Sequence, residues 1–186
     1  AGDYPYSGAL YLTYGKIVKS SKNEITNNYS IGVLGPKSFA AETQIFAHKL
    51  INYTRPEGWN TQIKSELLLN YGYKNEHRIY QYHDLLDVKT QTGLNIGTAQ
   101  INTTIGAMLR IGKLNINSND IDKQSLLNSS TLKPKLFFFV NPTITIIGYN
   151  GLLQGGISSR NRKLKSNTYS IPDQEISRVI SKLSFG

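Results

Sequence analysis

Two side chains in the stretch 38–53 have types and spacing suited to acid–base chemistry. Gln44 and His48 are four residues apart, which places them on one face of a helix. Histidine is the side chain best suited to take a proton near neutral pH, and a neighbouring amide can orient a substrate carbonyl or a water. Spacing alone indicates a structural or solvated histidine more often than a catalytic one, so both interpretations stay open at this point.

The residues around this pair predict a short helix. Ser38 is a candidate cap, Glu42 places an acid in the early part, and the helix-like spacing of three and four connects Phe39, Thr43, Phe46 and Leu50. We therefore predict one short helix around 38–52. Because this is the only helix predicted between the strands, we interpret it as a candidate carrier of functional residues.

The rest of the chain is typical of β-structure. From 99 to 112 apolar and polar residues alternate, which predicts one long strand with two different faces. A transmembrane β-strand takes about 9 to 11 tilted residues and points its apolar side chains at lipid, which fits this segment better than a short soluble strand. Less pure alternation recurs at 8–18, 29–34, 67–73, 83–96, 136–149 and 178–185. Together these segments predict an antiparallel transmembrane β-barrel, with an ordinary amphipathic edge strand as the alternative for the last one.

Two connections differ in composition. Residues 97–98, Gly-Thr, predict a tight turn, whereas 115–134 is polar and dense in Asn and Ser, which predicts a long loop. Short turns at one end and long loops at the other are typical of outer-membrane barrels.

Composition excludes several classes of protein. The 186 residues fit one domain. The absence of cysteine removes disulfide frameworks, thiolate zinc sites and cysteine nucleophiles. No apolar run approaches the roughly 18 to 20 residues of a spanning helix, which excludes a helical membrane protein. The sequence also lacks Gly-rich phosphate loops, the paired-histidine zinc helix, the EF-hand loop and the serine elbow.

The chain is strongly basic. Its 21 Lys and Arg against 12 Asp and Glu give a net charge of +9, which favours an anionic partner such as phosphate, nucleic acid or an acidic lipid surface. The densest cationic cluster is Arg160, Arg162, Lys163 and Lys165. A solvated loop explains this cluster most simply, and contact with phosphates of nucleic acid or of a lipid headgroup is the alternative.

The segment 55–60, Arg-Pro-Glu-Gly-Trp-Asn, is another candidate site. Its proline and glycine suggest a fixed loop shape, and Trp59, the only tryptophan, is more typical of packing or of an interfacial anchor than of a binding platform. His77 and His83 lie in or near predicted strands, where a structural role is the simpler interpretation.

Several short motifs keep a distinctive order along the chain. They are the runs 5–11 and 32–36, Gln44 with His48, the run 56–62, and Glu66. This series resembles the lipid A 3'-O-deacylase family of Gram-negative outer membranes. Looser similarity around 97–112 and 150–155 extends the resemblance over nearly the whole chain.

The resemblance implies a fold, an activity and a location. The family is a twelve-stranded outer-membrane β-barrel that hydrolyses the 3'-linked acyl chains of lipid A, by a mechanism proposed to resemble that of phospholipase A2. On the matching positions it implies His48 as the general base that activates water and Gln44 as its neighbour on the active-site helix. Ser7 would line the site. The implied partners are lipid A in lipopolysaccharide and the outer membrane, with no nucleic acid, and the oligomeric state is left open.

The resemblance also implies calcium dependence. Glu57 is the candidate acidic ligand, with Glu66 and, more weakly, Asp3 as alternatives. Each of these carboxylates is equally compatible with an ordinary position on the surface or in the barrel lumen.

The chain departs from the family pattern at its start. Family members carry an upstream Asn-Asp pair and an Asp-Arg-x-Tyr-Thr motif, and this sequence begins after both, with Tyr4 where a basic residue is usual. We therefore expect 1–186 to be a single β-barrel domain that forms the carboxyl-terminal part of a longer barrel and lacks its first strands, which puts its activity alone in question. The alternatives are a non-catalytic structural or pore-like outer-membrane barrel, and a soluble ligand-binding barrel with its polar faces outward.

Overall fold

Seven antiparallel strands form one sheet in chain order. The computed structural model describes residues 5–114, 136–157 and 169–186. Each strand pairs with the next one along the chain. The strands are β1 (Ala9–Lys19), β2 (Asn23–Leu34), β3 (Glu66–Tyr82), β4 (Leu86–Gly97), β5 (Gln100–Lys113), β6 (Leu136–Asn150) and β7 (Val179–Phe185). The all-β antiparallel fold predicted from the alternating segments is confirmed.

Strand bounds differ from the sequence prediction where pairing extends beyond the apolar pattern. The mostly polar residues 23–28 belong to β2 because all of them pair with β3 and all but Asn23 also pair with β1. The predicted tight turn at 97–98 is present between β4 and β5. Thr98 fixes this turn to β3, because its hydroxyl donates to the Leu67 carbonyl at 2.9 Å and accepts from the Leu69 N–H at 2.8 Å.

The outer face of the sheet is apolar and exposed. Because side chains alternate along a strand, one face carries a continuous set of exposed aliphatic residues: Leu10, Leu12, Ile31, Leu69, Ile105, Ile144 and Leu183. Tyr14, Tyr29 and Tyr71 form a row across this face, with successive ring centroids 6.5 and 5.3 Å apart. An apolar band with aromatic residues along it is typical of a barrel wall that faces lipid. We call this set of aliphatic residues the lipid belt.

The inner face carries an ion-pair network near the β3–β4 turn. Asp87 has a side-chain exposure of 0%. Its carboxylate accepts from Arg78 Nε at 2.7 Å and from Arg110 Nε at 3.0 Å, with a second bond from Arg110 Nη2. A buried carboxylate held by two guanidinium groups satisfies the requirement that buried charges are paired.

A second set of inner-face contacts surrounds Glu76 on β3. Its carboxylate lies 2.6 Å from Lys74 Nζ and 3.5 Å from Lys89 Nζ. The side chain of Gln91 donates to the same carboxylate at 3.3 Å. We refer to the Asp87 and Glu76 clusters together as the lumen network.

The helices are short. The structure contains α1 (Ala40–Leu50), between β2 and β3, and α2 (Gly151–Gln154), after β6. No helix in the described part is long and apolar enough to cross a membrane. The helix predicted around 38–52 is confirmed, but the predicted Ser38 cap is wrong, since the cap position is Phe39, with φ 57° and no side-chain capping bond. Pro36 starts a 3-10 turn that takes in Ser38 and buries it.

Three sequence predictions fall on residues outside the described part. They are the long loop at 115–134, the basic cluster of Arg160, Arg162, Lys163 and Lys165, and the weak acidic candidate Asp3.

Candidate active site

The connection 35–65 between β2 and β3 carries the candidate site. Its two ends lie side by side because Leu34 and Glu66 are register partners. The segment before β1 ties both ends down: the Gly35 N–H donates to the Gly8 carbonyl at 2.8 Å, and the Ile63 N–H donates to the Tyr6 carbonyl at 3.1 Å. Ile63 and Leu34 are fully buried there and form a small core with Leu68.

Helix α1 begins against the outer face of the wall. A Cβ on Gly8 would lie 2.4 Å from both the Ala40 Cβ and the Ser38 Oγ, so only glycine admits this approach. Leu10 is two residues further on and therefore shares the face of Gly8, and it belongs to the lipid belt. The start of α1 is thus on the lipid side of the wall and not over the lumen.

The inward face of α1 presents the two predicted chemical residues. Gln44 and His48 are both half-buried, together with Ala40, Ala41 and Ile45, whereas the other residues of the helix are exposed. The helix therefore places Gln44 and His48 on one face, as their spacing predicts.

A hydrogen bond fixes the orientation of His48. Its Nδ1 lies 2.6 Å from the Thr54 carbonyl oxygen. A carbonyl oxygen only accepts, so Nδ1 carries the hydrogen, and a neutral ring then keeps its lone pair on Nε2. This is the tautomer that a general base requires.

The end of α1 explains why Thr54 is in reach of His48. Asn52 has φ 50°, its N–H donates to the Lys49 carbonyl at 3.4 Å, and the Tyr53 N–H donates to the His48 carbonyl at 2.8 Å. These two bonds form a Schellman motif, in which a left-handed residue reverses the chain after a helix. The Tyr53 ring then meets the imidazole edge to face, with centroids 5.1 Å apart. The role of Asn52 was not predicted from the sequence, although an Asn after a helical pattern is its signal.

Trp59 holds Gln44. The indole Nε1–H donates to Gln44 Oε1 at 2.9 Å. An indole N–H only donates, so the amide oxygen faces the ring and the NH2 group points elsewhere. In the part of the chain that the structure describes, no hydrogen bond engages that NH2 group, which keeps two donors for a substrate or a water.

The loop around Trp59 has a defined shape. Gly58 has φ 104°, and a Cβ at this position would lie 2.5 Å from the Tyr6 ring. Tyr6 packs against Trp59 with ring centroids 5.1 Å apart. The predicted fixed loop and the packing interpretation of Trp59 therefore agree with the structure, which adds the bond to Gln44.

The other predicted site residues lie apart from this pair. Ser7 lies between Tyr6 and Gly8, which both contact the connection 35–65, and no described contact joins its side chain to Gln44 or His48. Glu57 is exposed and borders a shallow groove of about 540 Å³ beside Ile45 and Trp59. The carboxylate of Glu66 instead packs against Gly156.

Comparison with known proteins identifies the family. The family model described as outer membrane protein LpxR matches residues 1–184. The chain belongs to the LpxR family. A solved structure, LpxR from Salmonella typhimurium, matches with a TM-score of 0.67 and 18% identity over 99% of this chain and 63% of that one. No curated protein matches the chain.

Family membership confirms the expected fold and location. The sheet is the wall of an outer-membrane β-barrel of the LpxR kind, and the resemblance noted from the motifs is correct. The chain spans 63% of the length of the Salmonella LpxR structure. At this level of identity the likeness shows a shared fold, and the activity of this LpxR family member is a separate question.

The calcium dependence that the family resemblance implies stays a prediction. No group of three or more His, Cys, Asp or Glu side chains that could hold a metal ion occurs within 5–114, 136–157 and 169–186. Calcium takes six to eight oxygen ligands, usually with several carboxylates among them. The assignment of Glu57 as a calcium ligand therefore stays a prediction.

Proposed function

We propose that this LpxR family member hydrolyses the 3'-linked acyl esters of lipid A, with His48 as the general base. The observation that carries the proposal is the hydrogen bond of 2.6 Å between His48 Nδ1 and the Thr54 carbonyl. It leaves Nε2 of the neutral ring as the basic atom. The position of α1 on the lipid side of the wall supports a substrate that is itself a membrane lipid.

The chemistry of the proposed reaction is water attack on an ester. Nε2 of His48 takes a proton from a water molecule while the water oxygen bonds to the ester carbonyl carbon. The Thr54 carbonyl, through Nδ1–H, stabilises the imidazolium that forms. As the tetrahedral intermediate collapses, the bond between the acyl carbon and the sugar oxygen breaks. The imidazolium of His48 gives its Nε2 proton to that sugar oxygen. The products are a fatty acid and a free 3'-hydroxyl.

Gln44 is proposed as the donor beside the base. Its NH2 group can hydrogen-bond to the attacking water or to the carbonyl oxygen as negative charge develops there, and one preorganised donor of this kind is worth about 10²-fold or more in rate. Trp59 acts through Gln44, because it fixes which end of the amide faces the substrate. Ser7 stays a predicted site residue. No contact among the described residues connects it to this step, so the proposal gives it no role.

The test is mass spectrometry of lipid A from outer membranes that carry the full gene product, either unchanged or as His48→Ala. We expect the unchanged protein to remove the 3'-linked acyl mass and His48→Ala to lower the rate about 10³-fold, as for loss of a general base. The matched control is His77→Ala, because His77 lies on β3 and bonds to Asn23 at 2.7 Å, away from α1. It should keep nearly full activity.

Folding is checked by the heat-dependent gel mobility of the barrel. If folded His48→Ala deacylates at the unchanged rate, His48 is not the base. If the unchanged barrel folds but removes no acyl chain, the enzyme assignment is wrong and the non-catalytic structural barrel takes its place.

A further inference from the structure

The outward face of α1 is apolar, which reverses the usual arrangement of a surface helix. Amphipathic helices normally turn their apolar side chains towards protein. Here the inward face carries Gln44 and His48, and the opposite face carries the exposed side chains of Phe39, Phe46 and Leu50. The turn after the helix adds the exposed side chains of Ile51 and of Tyr53, whose ring also contacts His48. We call these five residues the apolar stripe. Their exposed fractions lie between 62% and 71%.

The apolar stripe adjoins the lipid belt of the barrel wall. Gly8 contacts Ala40 at the start of α1, and Leu10, the next residue on the same face of that segment, is 58% exposed. Leu67, at the β3 end of the same connection, is exposed as well. The stripe therefore begins on the same side of the wall as the belt. What covers the belt in a membrane is acyl chain.

The start of the stripe keeps a bulky side chain in an unfavourable backbone conformation. Phe39 has φ 57°, a left-handed backbone conformation that is unfavourable for a non-glycine residue and rare for a bulky one. A glycine at this position would adopt the conformation without strain, but it would have no ring to contribute to the stripe.

The polar residues Glu42 and Lys49 lie along one edge of the stripe and are exposed. A lysine at such an edge can extend its amine to a headgroup while its stem stays in an apolar layer.

We propose that the apolar stripe inserts among the acyl chains of the leaflet beside the barrel wall. Helix α1 then lies at the membrane interface, in the manner of an interfacial helix. Its opposite face presents Gln44 and His48 to ester bonds where the acyl chains join their headgroup. This last step rests on the proposed deacylase function, whereas the insertion itself does not.

The absence of cysteine from the chain makes a depth measurement direct. Single variants Leu50→Cys, Leu12→Cys and Ser21→Cys are made in the full gene product, labelled with a nitroxide and reconstituted in phosphatidylethanolamine–phosphatidylglycerol vesicles. Leu12, on the lipid belt, is the reference for lipid, and Ser21, in the turn between β1 and β2, is the reference for water. The readout is the ratio of collision rates with oxygen and with a water-soluble nickel chelate.

We expect the Leu50 label to give a ratio within about twofold of the Leu12 label and at least tenfold above the Ser21 label, because oxygen concentrates in acyl chains and nickel chelates stay in water. A ratio like that of Ser21 overturns the proposal. Low collision rates with both reagents also overturn it, because they mean that protein covers the stripe.

Deacylation by the same variants separates this proposal from the proposed function. A Leu50 label at lipid depth in a barrel that removes no acyl chain supports insertion and contradicts the enzyme assignment. A water-exposed label in a barrel that deacylates lipid A contradicts insertion alone.

A second variant tests whether insertion serves catalysis. Phe46→Ser combined with Leu50→Ser should lower deacylation of bilayer lipid A about tenfold, and Glu42→Ser, at the polar edge of α1, should leave it unchanged. Equal rates for both variants would show that the stripe does not position the site.

Discussion

The lumen network and the candidate site both contain polar side chains on a barrel wall, but they are satisfied to different degrees. In the lumen network, both carboxylate oxygens of Asp87 accept bonds from arginine, and its side chain is fully buried. At the candidate site, His48 uses one ring nitrogen and Gln44 uses its oxygen, and both are half-buried.

This difference separates structural from chemical roles. A fully paired buried charge stabilises one arrangement, and removing a partner leaves another charge unpaired. A side chain that is fixed by one atom and open at another is oriented and still able to react. The comparison predicts that substitutions in the lumen network change stability and that substitutions around α1 change activity.

The largest effect is expected from Asp87→Asn. It leaves Arg78 and Arg110 without their carboxylate, which should lower the free energy of unfolding by about 3 kcal/mol. This value is at the low end for a broken buried ion pair, because both arginines keep some contact with solvent. Urea unfolding of the barrel in detergent measures it. Glu24→Gln is the control, because its pair with Lys19 is exposed and should change stability by less than about 1 kcal/mol. Equal effects of the two variants would contradict the structural role of the lumen network.

The next effect is expected from Asn52→Val, which should lower kcat for deacylation about 10²-fold. A β-branched residue resists the left-handed conformation of Asn52, so the chain no longer brings the Thr54 carbonyl to His48. Asn52→Gly adopts that conformation freely and should restore activity. If both variants lose the same activity, the asparagine side chain matters and the turn does not.

The smallest effect is expected from Trp59→Phe. It keeps a ring beside Tyr6 but removes the N–H that holds Gln44, so the amide is no longer held in the orientation that the proposed reaction requires. Steady-state kinetics should show kcat/KM for deacylation reduced about tenfold, with unfolding in urea little changed. A loss in stability with unchanged kinetics would place Trp59 among the purely structural residues.

The sequence predicted the strands and the helix because each follows a period that burial imposes. Alternation at 99–112 located β5 to within one residue at each end, and the spacing of Gln44 and His48 placed them on one face of α1. The bounds of β2 and β3 were less accurate, since polar residues join a strand through pairing with neighbours that a local pattern does not contain.

The contacts that orient the site were not predictable from local patterns. Trp59 reaches Gln44 across fifteen positions of the chain, and Tyr6 reaches Trp59 from the segment before β1. The direction of the apolar stripe was also hidden, because helical periodicity shows that a stripe exists but not whether it faces protein or lipid. The surrounding medium decides this, and the local sequence pattern does not contain the position of α1 on the wall.

The pairing of Leu34 with Glu66 has a consequence for how such a protein changes over evolutionary time. The connection 35–65 leaves and re-enters the sheet at adjacent residues, so its length and content are uncoupled from the strand register. A tight hairpin of a few residues would close the same two strands. Natural variation can therefore insert, replace or delete the segment that carries Gln44 and His48 as one unit while the barrel wall persists.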